Sequence, residues 1–489
     1  MWIERFEQEN FEKELDRLWM EIKPLYQFLH AFVRRSLIFR YPEQSAAFPS
    51  SGHIPAHLLG DLGGKSWKNL WFHQKLLKIW ENVTPVNLTG LLHHAQYRTV
   101  KDIIPFVHGV YFQDLIASIG LHKSTYDNSI WTKPQGRPTF NCYPSAMAMF
   151  NAERNNYRIK ICAEPNVESL QELVRLTGKV MYYEHMALAK LPILMSKPAN
   201  PAFMHAMVDM LAFPFNTVAQ FYSLTMVGDF TRSELSNYHL GQILANALDI
   251  IAGLPFAIAL EKWRYQVFKG AVRPQDINRL WWLYRCKYQG ISPPSERPVG
   301  AVDALGTFHV TANIMYAQYF LAPILQFQLF KGLCDRKMKK VALSICYMDT
   351  QHKVIMNKLI AELMQAGWGS HWKDTLRQFT QRENYYDTGP LREYFGTILR
   401  ELITWKNKEN LSIGWNENKC PNAPPAYDTS ADNMGLASTE SYSEGLPNQE
   451  AMESSEDSLL LKKYSTFPFI PIICSCIVFL TYSYEGPNL

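Results

Sequence analysis

Arg175-Leu176-Thr177-Gly178-Lys179 and, about twenty residues on, Ala199-Asn200-Pro201-Ala202-Phe203-Met204-His205-Ala206-Met207-Val208-Asp209 are the stretches on which the fold reading turns. Each reads as part of a helix. Arg175 and Lys179 stand one turn apart and share a face, as do His205 and Asp209. Glu184 and His185 follow closely, so the region holds groups that ligate metals in other settings. Lone His residues beside a packed helix pair are ordinarily hydrogen-bonded structural groups, and no metal site rebuilt from these four is expected. The chain contains no His-Glu-x-x-His at any position.

Outward from this pair the helical period continues. Between Phe6 and Phe39 the residues Phe11, Leu15, Leu18, Trp19, Ile22, Leu25, Tyr26 and Leu29 recur at steps of three and four, with charges between them, as an amphipathic helix requires. Later segments repeat the pattern, and no alternating run is long enough for a major sheet. Ile243 to Leu260 is nearly long and apolar enough for a membrane span, but Asn246, Asp249, Gly253 and Pro255 interrupt it. A buried core helix with a break near Gly253 is the expectation.

The 489 residues are 47% hydrophobic and 19% charged, which suits a packed globular protein with a sizeable core. A formal charge of +4 with no basic stripe excludes any strong case for nucleic acid as partner. After Trp415 the character changes. Residues 416–462 are rich in Ser, Glu, Asp, Asn and Pro and poor in large apolar residues, and so read as a disordered stalk. Residues 463–489 carry an apolar stretch from Phe467 to Tyr482, short of the roughly 20 residues a helix needs to cross a bilayer. A single span and a removable lipid-anchor signal both remain open for this segment, beside a terminus with no anchoring role. Lys462 and Lys463 before the run oppose the charge rule for an outer body with a C-terminal span.

The blocks Leu29-His30-Ala31-Phe32-Val33-Arg34-Arg35, Ile54-Pro55-Ala56-His57-Leu58-Leu59-Gly60-Asp61, Tyr157-Arg158-Ile159-Lys160-Ile161-Cys162, Trp263-Arg264-Tyr265-Gln266-Val267-Phe268 and Trp281-Trp282 with Lys287-Tyr288-Gln289-Gly290 resemble, in order, the angiotensin-converting enzyme family of zinc peptidyl-dipeptidases. Ala199 to Asp209 is similar to that family's Ala-Asn-Pro-Gly-Phe-His-Glu-Ala-Ile-Gly-Asp. The resemblance implies a mainly α fold over residues 1–415: a large helical two-lobed peptidase with a deep central cleft, a few short strands, and the family's lid helices missing. It also implies disulfides Cys142–Cys162 and Cys334–Cys346; Cys286 is expected to be a buried free thiol inside a helix. The sequons at Asn82, Asn87 and Asn410 agree with an exported protein. Met1-Trp2-Ile3-Glu4-Arg5 opens without the apolar core of a signal peptide. The chain is therefore expected to be a piece of a longer exported protein; a chain made without an export signal is the alternative.

By the same resemblance, Arg175 and Lys179 match the two zinc-binding His, Leu176 the general base, His205 the third ligand, and Asp209 the carboxylate that orients the first His. None of the replacements suits its role. A unit charge about 4 Å from another is worth roughly 4 kcal/mol at an effective dielectric of 20, so Lys179 would oppose a dication by roughly 8. Leucine has no proton to exchange. Asp209 is expected to take Arg175 or Lys179 as its new partner. His309, Tyr316 and Tyr319 match residues that bind substrate and stabilise the oxyanion, with core packing as the competing reading. Thr307 stands in place of a Lys that pairs with the substrate carboxylate, and Gln318 in place of a chloride-binding Arg. Trp281 and Arg285 match part of the other chloride site.

These readings give an inactive relative of the family, similar in state to its enzyme-like paralogue, without zinc or chloride. Its expected place is extracellular or at the cell surface, bound to an unknown protein partner, with membrane attachment through the C-terminal segment. A working zinc peptidyl-dipeptidase and the non-functional product of a decaying gene are the alternatives.

Overall fold

In the computed structural model, the chain is described over residues 3–71, 86–115, 123–149, 156–192, 195, 197–224, 232–298, 300–337, 341–347 and 353–426. Helix α1 (Phe11–Arg40) buries the stripe its sequence spells out, Phe11, Leu15, Leu18, Trp19, Ile22, Leu25, Tyr26 and Leu29. It packs against α4 (Ala252–Phe268) and α7 (Gly389–Glu409). Three further helices build the site: α2 (Val167–Leu188), α3 (Phe203–Ala212) and α6 (Ala317–Lys337). They pack in series, α2 on α3 and α3 on α6, while α6 also meets α4 and α7. A shorter helix, α5 (Ile277–Tyr284), lies against α4.

The fold is mainly helical, as expected, and its strands are short. Strand β1 (Ile54–Pro55) pairs in parallel with β4 (Ile291–Ser292), and β2 (Ser145–Ala148) pairs antiparallel with β3 (Tyr157–Lys160).

The long apolar helix is a core element. It runs from Ser236 to Phe268, and 83% of the window that would suffice for a membrane span is buried inside the body. Its irregularity lies at Ala247–Ile251, which winds as a π turn, and the helix continues through Gly253 where a break was expected. Pro255 lacks the N–H that an α-helix would direct to residue 251, and the widened turn just before it accommodates that loss. Gly253 serves a close approach instead: a Cβ there would sit 3.1 Å from the Lys65 carbonyl oxygen.

Cys142–Cys162 and Cys334–Cys346 are disulfides, as the resemblance implied. Cys286 is not a free thiol. It bonds to Cys420, 134 residues away. Cys286 lies in a π turn, Arg285–Gln289, at the end of α5, and the chain after α7 returns to that turn. Trp415 packs its ring on Tyr26 and His30 and donates Nε1–H to the Lys287 carbonyl at 3.2 Å, while the Asn416 amide donates to Ser51 O at 2.8 Å. Residues 416–426 therefore lie on the body, with Asn422 donating to the Pro293 carbonyl. The remainder of the expected stalk and the apolar segment 463–489 fall outside the described residues.

Candidate functional site

Gly178 sets the distance between α2 and α3. A Cβ at this position would lie 3.3 Å from Val208 Cγ1 and 3.4 Å from Leu211 Cδ1, so only a residue without a side chain lets the helices approach this closely. Asn200 fixes the entry to α3 by accepting the Ala202 amide on Oδ1 at 2.9 Å, and donates from Nδ2 to the Tyr386 hydroxyl at 3.5 Å.

Across this joint, Arg175 Nε donates to Asp209 Oδ1 at 2.7 Å, and Arg175 Nη1 reaches Glu172 at 3.4 Å. Both members of the Arg175–Asp209 pair keep about a third of their side-chain surface, 30% and 31%. Burial pulls the Arg175 pKa down, but Asp209, Glu172 and Asp249 more than offset it, and the guanidinium stays charged. Leu176 is wholly buried between the helices. Lys179 has no ion pair among the described residues. Burial pushes His205 down to about 4, and the charge of Lys179 acts in the same direction. No group of three or more His, Cys, Asp or Glu side chains among the described residues is placed to hold a metal ion. Glu184 and His185 do not converge on His205: burial raises Glu184 to about 7, and His185 Nδ1 bonds within its own helix to Met181 O at 2.9 Å.

The facing wall is aromatic. His309 Nε2 and the Tyr319 hydroxyl share a hydrogen bond of 3.2 Å, and the His309, Tyr316 and Tyr319 rings pack edge-to-face or tilted at 4.8 to 5.2 Å between centroids. Tyr319 also meets His205 at 5.1 Å, which joins the wall to the floor. Burial pushes His309 down to about 4, with Lys65 and Arg264 adding to it. Two residues that the sequence reading passed over hold this wall in place from α4. Arg264 donates to the carbonyls of Ile314 and His309, and Glu261 accepts the Tyr316 amide at 3.0 Å. A fully buried glutamate on an apolar helix was the available signal.

A pocket of about 530 Å³ opens beside His205, lined by none of the wall residues His309, Tyr316 and Tyr319. Tyr183 and Met186 of α2, Met204 and His205 of α3 and Gln318 of α6 line it, and Arg5, Lys197 and Trp368 complete its mouth. None of these last three is foreseeable, since they come from segments distant in sequence.

Away from the pocket, Arg285 is buried and spends its donors on Gln289 Oε1 and on the carbonyls of Leu62 and Gly63, at 2.8 to 3.0 Å. Its plane lies against the Trp281 and Trp282 rings, and burial lowers it to about 10. Thr307 precedes the short helix Phe308–Thr311 and makes no side-chain cap. Asn87 is exposed and caps the helix Leu88–His94 by accepting the Gly90 amide, and Asn410 is exposed in a left-handed turn at the end of α7. Asn82 lies outside the described residues.

A family model described as angiotensin-converting enzyme matches residues 1–415. The chain belongs to the angiotensin-converting enzyme family. It is 30% identical to angiotensin-converting enzyme of Mus musculus over 432 residues, 88% of this chain and 32% of that protein. It is 32% identical to angiotensin-converting enzyme of Theromyzon tessulatum over 407 residues, 83% of this chain and 62% of the relative. It is 28% identical to angiotensin-converting enzyme-like protein Ace3 of Mus musculus over 422 residues, or 86% and 55% of the two chains. The chain thus spans less than two thirds of the length of these angiotensin-converting enzyme relatives.

Proposed function

We propose that this member of the angiotensin-converting enzyme family lacks peptidase chemistry and acts as a binding module on the extracellular side. One contact carries the reading: Asp209, assigned by the resemblance to orient a zinc-bound His, instead holds the Arg175 guanidinium at 2.7 Å. A guanidinium and an ammonium offer zinc no lone pair, and His205 alone cannot make the three-ligand set of a catalytic site. The residues at these positions do not fit the metal. Leu176, buried at the general-base position, cannot take a proton from water. His309, Tyr316 and Tyr319 then act as packing for a cleft wall. Chloride finds little support, because the polar groups of Arg285 are turned to protein oxygens and Gln318 carries no charge.

Exposed Asn87 and Asn410 in sequons and the disulfides support an exported route, with residues 463–489 as the attachment. The deciding experiment is metal analysis of the purified protein together with release of C-terminal dipeptides from a test peptide. We expect less than about a tenth of an equivalent of zinc and no release above a no-protein control. Stoichiometric zinc with turnover abolished by a chelator would overturn the proposal in favour of a peptidyl-dipeptidase. Failure to find the glycosylated protein on a cell surface would favour the product of a decaying gene.

A further inference from the structure

We infer that the pocket between α2, α3 and α6 is a receptor for an acidic peptide segment of a partner protein. This rests on the binding-module reading above and names the chemistry of the partner. The first observation is charge. Arg5 and Lys197 stand at the mouth without an ion pair among the described residues, and no lining residue carries a carboxylate. On the floor, Arg175 pairs with Glu172 and Asp209, and Lys179 has no ion pair among the described residues. Lys179 shares a helix face with Tyr183 and Met186, which line the pocket, and its charge is felt by His205 at the pocket wall. His205 itself makes no hydrogen bond to a described residue. A cavity whose lining holds two cations and no carboxylate is complementary to a chain bearing carboxylates; Glu184, which acts on the lining Tyr157, is pushed up to about 7 by burial.

The second observation is the surface around the mouth, which argues for a peptide over a lone small anion. Trp368 lines the pocket and is still 40% exposed, and its amide donates to the carbonyl of exposed Met195. A ligand that fills the pocket and continues past the mouth therefore meets the exposed apolar side chains of Trp368 and Met195. The Lys197 ammonium lies 5.7 Å from the centre of the Trp368 ring, so charge and apolar surface meet at one point. A segment alternating acidic and apolar residues satisfies both.

The test is fluorescence anisotropy on the full chain with three labelled octapeptides, alternating leucine with glutamate, glutamine or lysine. The glutamate peptide is expected to bind at least about tenfold more tightly than the other two, and to weaken as salt rises. Lys197→Glu should cost about tenfold while Lys197→Arg retains binding, and Met204→Trp, which fills the cavity, should abolish it. Equal binding of the three peptides, or no binding, overturns the inference, as does indifference to Lys197→Glu. Cleavage of the bound peptide would overturn the loss of peptidase chemistry instead, so the two failures are distinguishable.

Discussion

The floor and the wall of the cleft have parted company. On the wall, His309, Tyr316 and Tyr319 are the residue types the family resemblance calls for, and they pack on one another under the hold of Arg264 and Glu261. On the floor the backbone keeps its joint, with Gly178 against Val208 and Asn200 at the turn, while Arg175, Leu176, Lys179 and His205 differ from the residue types that the resemblance assigns, the difference on which the proposed loss of chemistry rests. Groups that also serve packing stay useful when chemistry is given up. Groups whose use is a lone pair or a proton do not, and an ion pair can stand where they stood.

The largest expected effect reverses the floor alone. Arg175→His, Leu176→Glu, Lys179→His and His205→Glu together should take the protein from negligible zinc to about one equivalent, because the scaffold that orients them is proposed to persist. A folded quadruple variant that binds no zinc would show that the floor has changed in shape as well as in residue type. Next, Leu176→Ala should cost about 2–5 kcal/mol by thermal or denaturant unfolding, since Leu176 is wholly buried. An equal substitution at exposed Phe308, beside the wall, should leave stability within about 0.5 kcal/mol.

Titration compares the two regions directly. His205 and His309 are held neutral in the fold, both pushed from 6.5 down to about 4. Between these values the unfolded chain binds protons that the folded one refuses, so their share of stability is complete above about pH 6.5 and is lost as pH falls toward 4. His205→Gln and His309→Gln should each flatten the slope of stability against pH in that window. A slope unchanged by either variant would mean that the imidazoles are not desolvated as described. The smallest effect is expected at Arg175→Met, about 1 kcal/mol or less because the pair is partly open to solvent, with Asp209→Asn in the double variant costing little more.

Much of this was legible along the chain because it repeats locally. The stripe from Phe11 to Leu29 announces α1 through its own period, and the family resemblance already implied a cation beside Asp209. Which cation took it was decided by where α3 crosses along α2, since Arg175 and Lys179 share one face a turn apart, and only packing sets that crossing. The Cys286–Cys420 bridge joins residues 134 apart, and spacing cannot choose a partner over that range. The mouth of the pocket was equally hidden, since Arg5, Lys197 and Trp368 share no motif and meet only when the helices close. The π turn at Ala247–Ile251 was foretold as a break at the wrong residue, because Gly253 and Pro255 are visible as letters and the widening that precedes them is not.

The bridge at Cys420 also sets a path for mechanical load. A pull passed down the chain as far as Cys420 meets a covalent bond to the turn at the end of α5 before it reaches residues 410–419 and α7. Tension arriving at Cys420 from its C-terminal side would pass into the buried Trp281–Arg285 region ahead of α7, whose packing against α1 would not have to bear it. The last helix among the described residues, α7, is thereby shielded from being peeled away from the body by the chain that follows it.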